Sequence, residues 1–476
     1  MYAGREYDGS WREPYWQRLY EEAGADERAA DIVEAFKELY TMYTDDLVEW
    51  YANLYDPHIG GYYCTTSGKE NEGFTPDIES SVQAVNFVEG CGMIDHLGRD
   101  WTTAFPEEFK KGLLRFATRM QEPNGYFYHL LKTREEGDRY ASRLGRDLGW
   151  CTGVMKRLGA SPTYDTPNNM KGNGIDAWGN PVKIEKSRAA ADKAEASAEE
   201  KTPPYADYLE NDKTFIEYLN EKVKMVESPY SAGNLLNATC GQIGARDNVL
   251  QEQGAGYSLR KILVDWLNER INPETGLWGY PSEERPKGTE FLYTNGLFKV
   301  LPLYNGWGYP YPYPERAVES VLEGILGDEP STANICEVYN LWSALIAVKA
   351  NVIKCHPAET RDKILAVIDE TMKNKGAAAI RNTYVKQSGY QMPDGAFAHN
   401  VNRCLKGHQG DIRVGLGLEE GDVDAIGKAT NGIISNVCQA FGFTKVPIYS
   451  QREWEIYLNI IKNAKPVIKE NTKPLR

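Results

Sequence analysis

The chain has 476 residues, of which 41% are hydrophobic and 26% are charged, a balance typical of globular proteins. Its 54 basic and 68 acidic side chains give a formal net charge of −14, which argues against binding to nucleic acid or to an anionic membrane. No run approaches about 18 consecutive apolar residues, so the sequence predicts no membrane span. Residues 1–24 contain no signal-like apolar segment, and none of the eight cysteines forms a C-x-x-C pair. We therefore expect a reduced, cytoplasmic protein with no metal and no other cofactor.

Two kinds of helix are predicted to alternate along the chain. The first kind is amphipathic, with apolar residues at i, i+3, i+4 and i+7, and covers residues 45–55, 107–121, 212–227, 258–271, 314–326 and 361–375. The second kind is more apolar and richer in small residues, and covers residues 76–90, 142–158, 232–244, 289–303, 332–350 and 422–441. Two further helices are predicted at 26–43 and at 450–464.

A short loop motif recurs between the two kinds of helix. The stretch QMPDGAFAHN at 391–400 has relatives at 55–63, 121–129 and 272–280, each with Pro, a turn, Gly and then aromatic residues. Pro presets φ and Gly accepts a positive φ, so these residues are typical of a tight turn. The recurrence indicates one structural unit that is used several times.

Six helix pairs predict an all-α fold, a closed (α/α)6 toroid of six inner and six outer helices that forms one domain over residues 1–476. Residues 160–211 do not fit this pattern, since they are first rich in Gly, Pro and Asn and then in Ala and charged residues. An insertion of about 50 residues within a compact domain is usually functional or disordered. We expect an inserted lid over the toroid mouth, an oligomer contact or a mobile segment.

Two of the loops carry a family resemblance. QEPNGYF at 121–127 and QMPDGAF at 391–397 resemble the Q-x-x-x-G-x-[FW] repeat of terpenoid cyclases and protein prenyltransferases. The helix–loop–helix pattern is also similar to that of (α/α)6 glycoside hydrolases and polysaccharide lyases. The resemblance implies the toroid over most of residues 40–445, but not the reaction, because these families share a scaffold and not a chemistry.

This sequence departs from the catalytic motifs of the isoprenoid enzymes in this group. Asp422-Val423-Asp424-Ala425 lacks the last acid of the D-x-D-D motif, and DDLVE at 45–49 lies on an outer helix. No D-x-C pattern with a matching His stands where a prenyltransferase would need its zinc ligands. Isoprenoid cyclisation is therefore the third hypothesis for the reaction, after hydrolysis and β-elimination of a carbohydrate.

Acidic residues at the starts of predicted inner helices are the leading catalytic candidates. PDIES at 76–80 and GDVDA at 421–425 each carry two acids two residues apart, and N-capping needs only one of them. An inverting glycosidase needs one protonated acid and one carboxylate base. The candidates for these roles are Glu79, Glu290, Glu337 and Asp424, with Asp77, Asp422 and the amide of Asn340 as substrate-binding neighbours.

The recurrent loops could supply an aromatic wall against which sugar rings stack. The residues concerned are Tyr62, Tyr63, Tyr126, Trp278, Tyr280 and Phe397. The alternative is that these rings pack each loop against its neighbour and have no contact with substrate.

A lyase would use other residues, because β-elimination from a uronate needs a proton abstractor and groups that neutralise the carboxylate. His399 and Asn400 follow one loop, His129 has the same offset in another, and Arg143 is near it in sequence. Hydrolysis of a glycoside or oligosaccharide is the leading prediction and elimination the second. A non-catalytic binding toroid and a homo-oligomer both stay open.

Overall fold

The computed structural model describes residues 8–182, 206–281, 284, 290–327, 334–408 and 410–470. These residues are mostly helical, and the strands among them are three antiparallel pairs of two residues each. The predicted all-α class is confirmed at this level. Within the described residues, no helix combines the length and the apolarity needed to cross a bilayer.

The helices of the first half of the chain begin with three that precede the first loop, α1 (Glu13–Glu22), α2 (Glu27–Tyr40) and α3 (Asp45–Asn53). They continue with α4 (Thr66–Glu70), α5 (Ile78–Gly90), α6 (Trp101–Ala104), α7 (Glu107–Arg119), α8 (Arg134–Asp138) and α9 (Ala141–Arg157). Single 3-10 turns lie at Ser10–Arg12, Asp95–Leu97 and Asp207–Leu209.

The second half contains α10 (Asp212–Lys222), α11 (Pro229–Glu252), α12 (Leu259–Asn268), α13 (Glu290–Trp307), α14 (Pro314–Leu326), α15 (Cys336–Cys355) and α16 (Ala358–Ser388). It ends with α17 (Val423–Gly427), a π-helical turn (Lys428–Gly432), α18 (Ile433–Phe441) and α19 (Gln451–Lys462). The strands are β1 (Tyr55–Asp56), β2 (Gly61–Tyr62), β3 (Ile271–Asn272), β4 (Leu277–Trp278), β5 (Gly407–His408) and β6 (Ile412–Arg413).

Every predicted helix has a counterpart, but several differ in extent. α16 runs to Ser388 where the prediction ended at 375, because buried Ile380 and Thr383 continue its apolar face and Gly376 is buried within the helix instead of ending it. α11 covers 229–252 where 232–244 was predicted. The helix predicted at 422–441 contains the π turn, which interrupts its α-helical hydrogen bonding.

The recurrent loop motif is a structural repeat. Each copy closes with one antiparallel pairing across its turn, Tyr55 with Tyr62, Gln121 with Phe127, Ile271 with Trp278 and Gln391 with Phe397. The motif glycine of each copy has a positive φ, 90° at Gly60, 83° at Gly125, 64° at Gly276 and 82° at Gly395. This backbone conformation disfavours any residue with a Cβ, which explains why glycine recurs there.

The described part of the predicted insertion packs against one of these loops. The side chain of Gln121 donates to the carbonyl of Tyr164 at 2.9 Å and accepts from its N–H at 3.0 Å. Trp178 lies over the arginines at the end of α7. Residues 183–205, which complete most of the predicted segment, lie outside the described residues.

Candidate active site

In each of the two acid pairs, the first residue is a helix N-cap and the second contacts other side chains. Asp77 accepts from the N–H of Ser80 at 2.9 Å, and Asp422 accepts from the N–H of Ala425 at 2.8 Å. Both carboxylates are N-caps, and both residues are 0% exposed. The prediction that Asp77 and Asp422 bind substrate is therefore wrong, because their oxygens are committed to backbone and side-chain donors of the fold.

Asp424, the second acid of its pair, forms a dyad with His399. Nδ1 of His399 lies 2.9 Å from Oδ2 of Asp424, although 25 positions separate the residues. Nζ of Lys428, one turn further along the chain, lies 2.5 Å from the same oxygen. The side chains of His399 and Asp424 are 17% and 14% exposed, so the dyad is largely buried yet reachable.

The backbone around the dyad is held firmly. The N–H of His399 donates to Oδ2 of Asp422 at 2.7 Å, and its carbonyl accepts from the N–H of Ile335 at 2.9 Å. These bonds tie the loop to the beginnings of α17 and α15. The imidazole therefore has a fixed orientation relative to Asp424, the arrangement that a carboxylate gives to a catalytic histidine.

Burial and ion pairing act in opposite directions on the pKa of Asp424. Burial alone would raise it, but Lys428 and His399 outweigh burial and hold the pKa well below its usual range. Burial raises the pKa of Asp422, and the charge of Asp424 adds to that effect. Asp424 is therefore the ionised member of the pair, a carboxylate that favours the Nδ1–H form of His399.

The donor set around Asp424 has part of the geometry of a metal site. One ligand atom each from His399, Asp422 and Asp424 lies within 4.8 Å of the others. However, Lys428 already places a positive charge on Asp424, and Asp422 accepts three backbone hydrogen bonds, from His399, Leu405 and Ala425. These contacts describe an ion-paired hydrogen-bond network that has its own cation, and they do not fit a metal.

Glu79, the second acid of the other pair, is held by arginines of α9. Its carboxylate accepts from Arg143 at 2.6 Å and lies 3.4 Å from Arg146. Arg143 also bonds Asp147, at 2.8 and 3.1 Å, while the side chain of His408 lies 3.8 Å from Glu79. Glu79 therefore contacts two guanidinium groups of α9, and Arg143 joins it to Asp147.

One face of α5 connects the two groups of residues. Gln83 stands one turn after Glu79 and donates from Nε2 to Oδ1 of Asp424 at 3.3 Å. Residues four apart on a helix lie about 5–6 Å from each other at Cβ. The polar surface formed by these residues therefore runs from Glu79 on α5 through Gln83 to Asp424 on α17.

Most of the predicted aromatic wall belongs to the core. Tyr62, Tyr63, Trp278 and Phe397 are at most 1% exposed, so the prediction that they stack on sugar is wrong. The loops turn these rings inward, where they pack against neighbouring helices and remove large apolar surfaces from water. Tyr126 and Tyr280 are only partly buried.

The remaining predicted residues are scattered. Glu337 and Asn340 are buried on the first turns of α15. Asn400 directly follows His399 and is half-buried, and His129 is buried within the loop at 121–132. Glu290 begins α13, and its side chain lies outside the described part of the structure. Three residues of the polar surface were missed, Gln83, Arg146 and Lys428. The spacing of four from Glu79 to Gln83 and from Asp424 to Lys428 was the signal that could have indicated two of them.

Comparisons with protein-family models, with curated proteins and with solved structures find no match to this chain. The function is therefore argued from the site.

Proposed function

We propose that the predicted inner and outer helices close into a (α/α)6 toroid with the polar surface at one end. The support is pairwise packing between inner helices: α5 lies against α9 and α17, α13 lies against α11 and α15, and α15 lies against α18. α14 packs outside α13 and α15, and α12 packs outside α11. A central cup with the beginnings of the inner helices at its mouth accounts for the convergence of the residues around Asp424.

We propose that the protein is a carbohydrate-active enzyme in which His399 acts as the general base. The observation that carries this proposal is the 2.9 Å contact between Nδ1 of His399 and Asp424. The hydrogen bond that the described structure shows for the His399 ring is through Nδ1, so Nε2 is the nitrogen left for a substrate proton. Asp424 holds the tautomer and stabilises the imidazolium that forms.

The substrate class follows from two cations on α9 and α13, helices that pack against α5 and α15. Arg146 is 41% exposed on its side chain, and Lys299 of α13 lies close enough to it that the two charges interact. Burial lowers the pKa of Lys299, and Arg146 lowers it further; among the described residues Lys299 has no carboxylate partner. In a chain of net charge −14, these cations favour a substrate that brings its own negative charge, as a uronate does.

The reaction that fits a histidine base together with such cations is β-elimination. His399 removes the proton on the carbon next to the carboxylate, and the cations stabilise the negative charge that develops there. The bond from the neighbouring carbon to the glycosidic oxygen breaks, and the leaving oxygen takes up a proton. The products are an unsaturated uronate and a shortened chain.

Glycoside hydrolysis by Glu79 and Asp424 is the second candidate, favoured by their separation across Gln83 on one surface. Hydrolysis needs one of the two acids protonated. The pKa of Asp424 is well below its usual range, so Asp424 does not serve as the protonated acid. Elimination is the better supported reaction for this reason.

The test uses polygalacturonate and a neutral glycoside as substrates and records ultraviolet absorbance and reducing ends together. Elimination predicts that absorbance rises with reducing ends, and that His399→Gln lowers turnover at least about a hundredfold. Hydrolysis predicts reducing ends without absorbance, loss of activity in Glu79→Gln and Asp424→Asn, and little effect of His399→Gln. Cleavage of the neutral glycoside by the His399→Gln variant would rule out His399 as the base.

The eight cysteines are all unpaired, which supports the expected reducing, cytoplasmic location. The predicted homo-oligomer stays a prediction.

A further inference from the structure

A cavity lies between the loop after α7 and the insertion, and neither His399 nor Asp424 lines it. Its volume is about 370 Å³, within the range of small-molecule sites. The loop 118–132 and residues 163–178 line it. The cavity is therefore built jointly by the second recurrent loop and the predicted insertion.

The cavity wall combines the exposed ring of Trp178 with Arg119, and Arg115 lies near the same ring. Trp178 is 51% exposed, although an indole of this size is normally buried. The guanidinium carbons of Arg119 and Arg115 lie 5.3 and 5.9 Å from its ring centroid. These arginines are one turn apart on α7, and like charges at this spacing repel each other.

Neither arginine has a neutralising partner in the described part of the chain. No carboxylate there forms an ion pair with Arg115 or Arg119, and Nε of Arg115 is buried without a hydrogen-bond partner. Asp176, an acid of the cavity wall, uses one oxygen for the N–H groups of Trp178 and Asn180, both at 2.8 Å. Two adjacent cations without a counter-ion are the arrangement that an external anion satisfies.

His129 adds a buried donor to the same wall. The residue is 5% exposed, and its Nδ1 accepts from the N–H of Leu131 at 3.3 Å, so Nε2 carries the hydrogen. Nε2 has no partner in the described residues. A buried donor without an acceptor costs free energy that a bound oxygen would recover.

We propose that this cavity is a binding site for a carboxylated sugar, with Trp178 against the ring face and Arg119 on the carboxylate. An indole ring offers a flat apolar surface of the size of a pyranose face, and a guanidinium binds a carboxylate through two parallel hydrogen bonds. The site would hold an acidic saccharide at the rim of the protein. It rests on rim residues alone and does not depend on the chemistry proposed for His399.

The test is hydrogen–deuterium exchange of the full chain with trigalacturonate, and with neutral maltotriose as the comparison. We expect trigalacturonate to protect residues 118–132 and 163–178, and maltotriose to protect neither. Arg119→Gln and Trp178→Ala should each weaken trigalacturonate binding at this site about tenfold or more by calorimetry. Added salt should weaken it too.

Arg157→Gln is the matched control, since Arg157 also lies over a tryptophan, Trp101, at 4.5 Å but lines no part of the cavity. This variant and His399→Gln should keep the rim protection, which separates the rim site from the proposed reaction. Absence of protection at both segments in the unaltered chain would overturn the proposal. Equal protection by maltotriose, or unchanged affinity in Arg119→Gln, would do the same.

Discussion

The hydroxyl of Tyr457 donates a hydrogen bond to the hydroxyl of Tyr62 at 2.6 Å, and both rings are fully buried. This bond joins α19 to the first recurrent loop and makes Tyr62 a structural residue. We expect Tyr62→Phe to cost about 1 kcal/mol in the free energy of unfolding, because the Tyr457 hydroxyl loses its partner. Urea denaturation measures this cost.

The double variant Tyr62→Phe with Tyr457→Phe should cost less than the two single costs added together, since it leaves no orphaned hydroxyl. Turnover on any substrate should be unchanged in Tyr62→Phe. A large fall in turnover at unchanged stability would instead return Tyr62 to the substrate site.

Gly60 allows the first loop to approach α7 at the distance of backbone contact. Its φ is 90°, and a Cβ there would overlap the carbonyl group of Gly112. We expect Gly60→Ala to cost about 3 kcal/mol or more, because both the conformation and the clash oppose it. Gly73 is the matched control, with a φ of 83° and no described atom within 4 Å of the place where a methyl group would lie, and Gly73→Ala should cost about 1 kcal/mol. Equal costs, measured by thermal and urea unfolding, would contradict the close approach.

Buried His129 should make stability fall as the pH falls. Burial lowers its pKa from 6.5 to about 4, so between these values the unfolded chain binds a proton that the folded chain does not. The contribution of His129 to stability is complete above its pKa in the unfolded chain. It falls by up to about 3 kcal/mol as the pH drops to its pKa in the folded chain. His129→Gln should flatten this part of the profile in urea unfolding series from about pH 7 to pH 4. Parallel profiles for the two proteins would show that His129 does not titrate differently on folding.

The ion pair between Lys428 and Asp424 should protect the dyad against acid. Because the pKa of Asp424 is below its usual value of 3.8, its contribution to stability is present above that value and is lost as the pH falls through the folded pKa. Lys428→Met should raise the pKa of Asp424, shift acid unfolding to higher pH and cost about 1–3 kcal/mol at neutral pH. Lys428→Arg keeps the charge and should recover most of the loss. An unchanged acid midpoint in Lys428→Met would mean that Lys428 does not set the pKa of Asp424.

Local features of the fold were predictable because they depend on neighbours in sequence. The 3.6-residue apolar period located the helices, and the acid pairs at 77/79 and 422/424 marked two of their beginnings. The extent of α16 was missed because Gly376 follows the predicted end but packs against Phe441 inside the helix, and buried Ile380 and Thr383 extend the same face.

What the sequence by itself determined is the order of helices and the four glycine loops, since both follow from backbone preferences that act within one turn. Only the tertiary structure decided that His399 meets Asp424, that Glu79 meets Arg143 across 64 positions, and that Tyr62 and Trp278 face inward. The physical reason is that such contacts depend on the angles and registers at which whole helices pack, and these result from the summed burial of many side chains rather than from any local pattern.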